Sequence, residues 1–160
     1  MRPTIILKRR VAGVSEQALE RFAARACRTA GLRGRLTVLV TGSREIRALN
    51  VRFRDEKCAT DVLSFPPPPF SDGFEGDIAI SVDIAARNAR GLGHSTRDEI
   101  CILILHGILH LAGYDHERDC GEMAKKEMLL RRRLALPAAL IERAAGKRKP
   151  SKLARARPRV

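Results

Sequence analysis

From Ile100 to Leu111 the chain reads ICILILHGILHL, apolar on nearly every face of a helix yet interrupted by two histidines four residues apart. A helix with no polar face must sit centrally and be covered by other elements. Unpaired imidazoles buried there would cost about 1 to 3 kcal/mol each. With about 3.6 residues per turn, His106 and His110 share one face and aim the same way. Gly113 then permits the left-handed backbone that commonly ends a helix, so the chain can double back and deliver His116 from the far side. The three imidazoles together read as a metal site, because a shared ion removes the burial cost.

The second histidine, the glycine and the third histidine follow the first at +4, +7 and +10, the spacing of the elongated zincin pattern HExxHxxGxxH. One position differs. Where those peptidases carry the glutamate that acts as general base, this chain has Gly107, which has no side chain to act. Cys120 follows His116 by four residues and is a conceivable fourth ligand, but a fourth protein ligand would close the site, and a helix start is the commoner role. His94 precedes a helix cap and reads as an ordinary surface histidine.

A chain of 160 residues is expected to form one domain, residues 1–145, followed by a basic, disordered tail, residues 146–160. Cys27, Cys58, Cys101 and Cys120 are scattered, without a CxxC pair, and read as reduced thiols rather than a disulfide framework. The start, MRPTIILKRRVAG, is too poor in apolar residues for a secretory signal. No run approaches the roughly 20 apolar residues of a membrane span. A cytoplasmic protein with no membrane partner is expected.

The net charge of +13 points to a polyanionic partner, nucleic acid before membrane. Seven Lys or Arg and no acid lie between Gly146 and Val160, and without them the remainder is still +6. Such a tail can add nonspecific RNA affinity through counterion release. Aromatic residues are confined to Phe22, Phe53, Phe65, Phe70, Phe74 and Tyr114, too few for the stacking platform of a sequence-reading RNA module.

Strands are predicted over Thr4–Lys8, Leu36–Thr41, Asp61–Phe65 and Gly76–Val82. The run Pro66 to Pro69 cannot continue a ladder and is expected to project as a stiff loop. Helices are predicted from the Ser15 cap to Ala30, with Leu19, Phe22, Ala23 and Ala26 inward and Gly31 at the end, and from Ser43, with Ile46, Leu49 and Phe53 on one face. Asp83–Gly91 reads as a short helix. Ser95 with Asp98 approximates a capping box ahead of the histidine-bearing helix. Cys120–Leu134, with Met123, Leu130 and Leu134 inward, and a short segment from Pro137 complete the set. The expected fold is α+β: one small mixed sheet of about four strands packed with five or six helices, the metal-binding helix at the centre.

HGILHLAGYDH, read with LNVRFRD (Leu49–Asp55), ATDVLSFP (Ala59–Pro66) and GDIAIS (Gly76–Ser81), closely resembles the YbeY family of ribosomal RNA maturation endoribonucleases. The matching blocks lie between Leu49 and about Glu127, roughly half the chain, and the basic tail is not part of the family core. The resemblance implies a cytoplasmic, single-strand-specific endoribonuclease with one zinc ion per chain, acting on the 3′ end of small-subunit (16S) ribosomal RNA and in late ribosome quality control. Its partners would be single-stranded RNA and the ribosome or its small subunit. By position, the resemblance makes His106, His110 and His116 the zinc ligands and Arg54 the arginine near the metal.

Three neutral imidazoles would leave a zinc ion its full charge and an open fourth position, which lowers the pKa of bound water to about 7. The fork of Arg54 would suit the equatorial oxygens of a phosphodiester transition state. Its plainer reading is an ion pair with Asp55 or Glu56. Asp61, Asp77 and Asp115 are candidate proton acceptors, each with an equally good structural reading, and none is assigned as general base. Ser64 is either a substrate contact or a small buried strand residue. Two alternatives to the nuclease stand: a noncatalytic ribosome assembly factor with a zinc site, and a metallopeptidase, which Gly107 and the charge oppose.

Overall fold

The alternation of Leu36, Val38 and Val40 with Thr37 and Leu39 gives a strand with one fully buried face and one half-covered face. In the computed structural model, which describes residues 2–137, that strand is β2 (Arg35–Thr41), at the middle of a four-stranded sheet ordered β1-β2-β4-β3. β1 (Thr4–Leu7) and β4 (Phe74–Ser81) run parallel to β2, and β3 (Val62–Phe65) pairs antiparallel with β4 at the edge. The expected mixed sheet is therefore found. β4 begins two residues before the predicted Gly76.

Five helices complete the described residues: α1 (Glu16–Ala30), α2 (Ser43–Arg54), α3 (Val82–Leu92), α4 (Thr96–Leu111) and α5 (Glu122–Arg133). The Ser15 hydroxyl accepts from Ala18 N–H and Gly31 takes a left-handed φ of 84°, which fixes both ends of α1 as predicted. Ser95 likewise accepts from Asp98 N–H at the start of α4. α5 starts two residues later than Cys120. There the Asp119 carboxylate accepts from Gly121 and Met123 N–H, a capping role for a residue just before the predicted helix. The segment predicted from Pro137 onward and the basic tail lie outside the described residues.

The main core joins α1, α4 and α5 to the Val38, Val40, Ile78 and Ile80 face of the sheet, and the smaller cluster of Ile46, Leu63 and Ala79 places α2 against the other face. α4 is the axis of this arrangement. Ile100 through Leu105 and Gly107 through Leu109 are buried, and the helix touches α1, α3, α5, β3 and β4. Gly107 explains how closely it approaches the sheet. A Cβ at that position would lie 2.8 Å from Ile78 Cδ1 and 3.0 Å from Ser64 Oγ.

Two expectations are corrected. Phe53 does not turn inward with Ile46 and Leu49. It is 37 % exposed and packs edge-on against Phe65 with ring centroids 5.3 Å apart, while the buried member of that last turn is Asn50, whose Nδ2 donates to Cys58 C=O. His94 is not a surface residue. Its ring is buried, and Nε2 lies 2.6 Å from Oε2 of Glu99, a carboxylate with no exposure on the first turns of α4. Because a buried carboxylate must be paired, the turn between α3 and α4 is folded back onto it.

Replacing Gly107 by alanine is expected to destabilise the fold by about 1 to 2 kcal/mol, overpacking outweighing the gain in helix propensity. Gly91, in α3 with open space around its Cα, is the control. Gly91→Ala is expected to stabilise by up to about 1 kcal/mol, and urea unfolding of both variants checks the opposite signs.

Candidate metal centre

The end of α4 is what turns two histidines into three. Ala112 closes the helix, Gly113 takes φ 98°, Gly113 N–H donates to His110 C=O and Tyr114 N–H donates to Leu109 C=O. This paired 5→2 and 6→1 pattern is the Schellman motif, which needs a left-handed residue at its centre and therefore favours glycine. The reversal brings His116 back over the helix end. The ring centroids of His106, His110 and His116 lie 4.8, 5.5 and 5.1 Å apart in pairs. Their ligand atoms all fall within 4.8 Å of one another, so the group could hold a metal ion.

The donor chemistry of the group fits a cation. Nδ1 of His106 lies 2.9 Å from the Glu127 carboxylate, and Nδ1 of His110 lies 3.0 Å from Tyr114 C=O. Both partners only accept, so each Nδ1 carries the proton and each Nε2 presents its lone pair. Those two Nε2 atoms face one another at 3.2 Å. Two nitrogen ligands about 2.0–2.1 Å from one tetrahedral ion stand roughly 3.4 Å apart. His116 adds an Nδ1 that is buried with no hydrogen-bond partner among the described residues.

Burial, then the neighbouring His106 and His116, pushes the His110 imidazole down from 6.5 to about 4, so it stays a neutral ligand at pH 7. Glu127 is buried against Arg131 of the same helix face. Burial alone raises its carboxyl, but its hydrogen bond to His106 and the Arg131 guanidinium together hold it below the usual carboxylate range. The sequence reading missed both residues. The signal was present: Glu127 is four residues after Met123 and three before Leu130, on the stripe predicted to face inward.

Arg54, the last residue of α2, is largely buried and pairs with Glu56 at 3.6 Å. Its neighbour Phe53 rests on Phe65 at the end of β3, and the next strand residue, Ser64, meets Gly107 of α4. Ser64 is a buried strand residue whose hydroxyl donates to Gly107 C=O at 3.4 Å. Asp115 accepts from Glu117 N–H and pairs with Arg118 at 3.5 Å, and Asp61 accepts from Val62 N–H, so both shape turns. Asp77 is half-buried, and burial pushes its carboxyl up. Cys120 is exposed and outside the histidine group, and the four cysteines are free thiols.

Over residues 4–135 the sequence matches the family described as Endoribonuclease YbeY. A Koribacter versatilis protein named Endoribonuclease YbeY is 59 % identical over 150 residues, covering 94 % of this chain and 95 % of that protein. A Solibacter usitatus protein of the same name is 45 % identical over 140 residues, covering 88 % and 93 %. The solution structure of TM1509 from Thermotoga maritima superposes with a TM-score of 0.60 at 26 % identity, covering 94 % of this chain and 99 % of that one.

Glu127→Gln, which keeps shape but weakens the anchor of His106, is expected to lower metal affinity about 10- to 100-fold without unfolding the chain. Competition with a chelating dye measures this, and unchanged affinity would contradict the role of the carboxylate. For the metal-free protein the sign of the pH dependence follows from His110. The unfolded chain takes up a proton near 6.5, whereas the folded imidazole resists down to about 4. The stability present above 6.5 is therefore lost as pH falls toward the folded value. Thermal melts in chelator between about pH 6.5 and about 5, above the carboxylate range, should show a falling midpoint.

Proposed function

Given that the chain belongs to the YbeY family of endoribonucleases, we propose that it cleaves single-stranded RNA with one zinc ion held by His106, His110 and His116. Its place of action is the cytoplasm, and its substrate is the 3′ end of small-subunit ribosomal RNA, during maturation and late quality control of the ribosome. Residues 1–145 act as the nuclease domain and residues 146–160 as a basic extension. The observation that carries the reading is the convergence of three imidazoles, two with Nδ1 committed elsewhere, at the end of a buried helix.

When bound, a zinc ion with an open fourth position supplies Lewis-acid polarisation of a phosphodiester and an acidified water. The protein's own residues do the rest. Glu127 and Tyr114 C=O fix the rings of His106 and His110, so these two donors are oriented before an ion binds. Arg54 binds a non-bridging phosphate oxygen. Its guanidinium fork matches phosphate geometry, and its ion pair with Glu56 at 3.6 Å is longer than a hydrogen bond.

The peptidase alternative fails on space as well as on residue type. The position that a zincin gives to its glutamate faces Ile78 and Ser64, where even a Cβ is crowded. The noncatalytic alternative is not favoured either, since the relatives that match nearly the whole chain bear the name of an endoribonuclease.

Single-turnover cleavage of a single strand carrying the small-subunit 3′ end, with the matching duplex and casein as controls, tests the proposal. The single strand alone should be cut. His110→Ala should lose metal and cleavage together. Arg54→Ala should keep its metal and lose about 100-fold or more in kcat. Casein cleavage, or undiminished RNA cleavage by His110→Ala, would overturn it.

A further inference from the structure

A concentration of positive charge lies on α1 and the start of α4, away from the histidine group. Arg21, Arg25 and Arg28 follow one another at i, i+4 and i+7 on α1, an exposed stripe on a single face. Arg97, in the first turn of α4, lines the same groove, whose walls include Phe22 and Leu136. The groove runs on along α1 into a hollow that Arg21 and Arg28 share with Arg2 and Gln17. Two acids, Glu20 and Asp98, also line it. Even so, none of these five arginines forms an ion pair among the described residues.

That arrangement works against the stability of the isolated chain. Like charges at i, i+4 repel, and a cation in the first turn of a helix opposes the helix dipole. A field assembled at such a cost, with no ion-pair partner among the described residues, points to an external anion. The residue type narrows the anion. All five side chains are arginine, whose planar fork matches phosphate in a bidentate way that a lysine ammonium does not. The track is also separate from the metal centre. Arg97 and His106 are nine residues apart on one helix, half a turn around its axis and about 13 Å along it.

We propose that the arginine track on α1 and α4 is an exosite that binds the phosphate backbone of single-stranded RNA at a distance from the scissile linkage. The proposal rests on the endoribonuclease reading and deepens it: the enzyme holds a long substrate at two places, and the track sets affinity rather than chemistry. An RNA too short to leave the metal centre gains nothing from it.

The test compares the full-length, zinc-loaded wild type with a triple variant, R25Q/R28Q/R97Q. A second variant, R47Q/R87Q/R90Q, removes the same charge from exposed arginines elsewhere. Binding of a long single strand is followed by anisotropy as salt is raised, and cleavage is measured on that strand and on a tetranucleotide. The track variant should show a log affinity against log salt slope shallower by about 2, at about 0.7 for each phosphate it no longer neutralises. It should also show a raised KM and unchanged kcat on the long strand, with tetranucleotide cleavage unaltered. Equal slopes for wild type and track variant, or an equal effect in the control variant, would overturn the exosite. So would loss of binding to polyglutamate with RNA binding intact, which would assign the track to an acidic protein. A wild type that fails to cut either RNA would instead overturn the endoribonuclease reading, which keeps the two failures apart.

Discussion

Helix α4 is enclosed by the sheet, α1, α3 and α5, yet its C-terminal part carries two imidazoles of a group that could hold a metal ion, and this conflict organises the molecule. An apolar helix in a central position is stable only when all its faces are covered. Gly107 allows the closest of those covers, because the sheet can press Ile78 and Ser64 against the helix backbone. The end of the helix is then set by Gly113, whose positive φ closes the Schellman turn and returns the chain with His116. A site built from a buried helix and one tight turn is held more rigidly than a site built on loops alone.

The same conflict governs the electrostatics. Three imidazoles crowded together at the edge of a core can be neutral ligands or costly cations. Burial holds His110 neutral, and a buried anion, Glu127, would be unfavourable without Arg131 beside it. The order therefore runs outward from the centre: neutral nitrogens, a carboxylate behind one of them, and a guanidinium behind the carboxylate. Each member satisfies the one before it, and the positive charge of a bound ion stays uncancelled by its direct ligands. That is the charge state needed to act on a phosphodiester.

Much of this was legible in the sequence because it is periodic or tied to one backbone geometry. The face shared by His106 and His110 follows from the helical repeat, and the return of His116 follows from Gly113. β2 was legible from alternation, and α1 from Ser15 and Gly31. What escaped was pairing across elements. Glu127 meets His106 over a sequence separation of 21 residues, and no local pattern records which helix will lie against which. The His94–Glu99 pair was hidden for a related reason. A histidine near a cap looks solvated until the carboxylate it must satisfy is seen to have no exposure. Phe53 was misjudged because it meets Phe65 edge-on and stays partly exposed rather than joining the cluster around Ile46.

The most direct test of the three-histidine site is X-ray absorption at the zinc edge on the zinc-loaded full chain, since it reads the ligands rather than their consequences. A site of three histidines and an open position gives three nitrogens at about 2.0–2.1 Å and one oxygen, with no sulfur. A shell at about 2.3 Å, the distance of a cysteine sulfur, would mean that Cys120 closes the site, and a closed structural centre would contradict the catalytic role given to it.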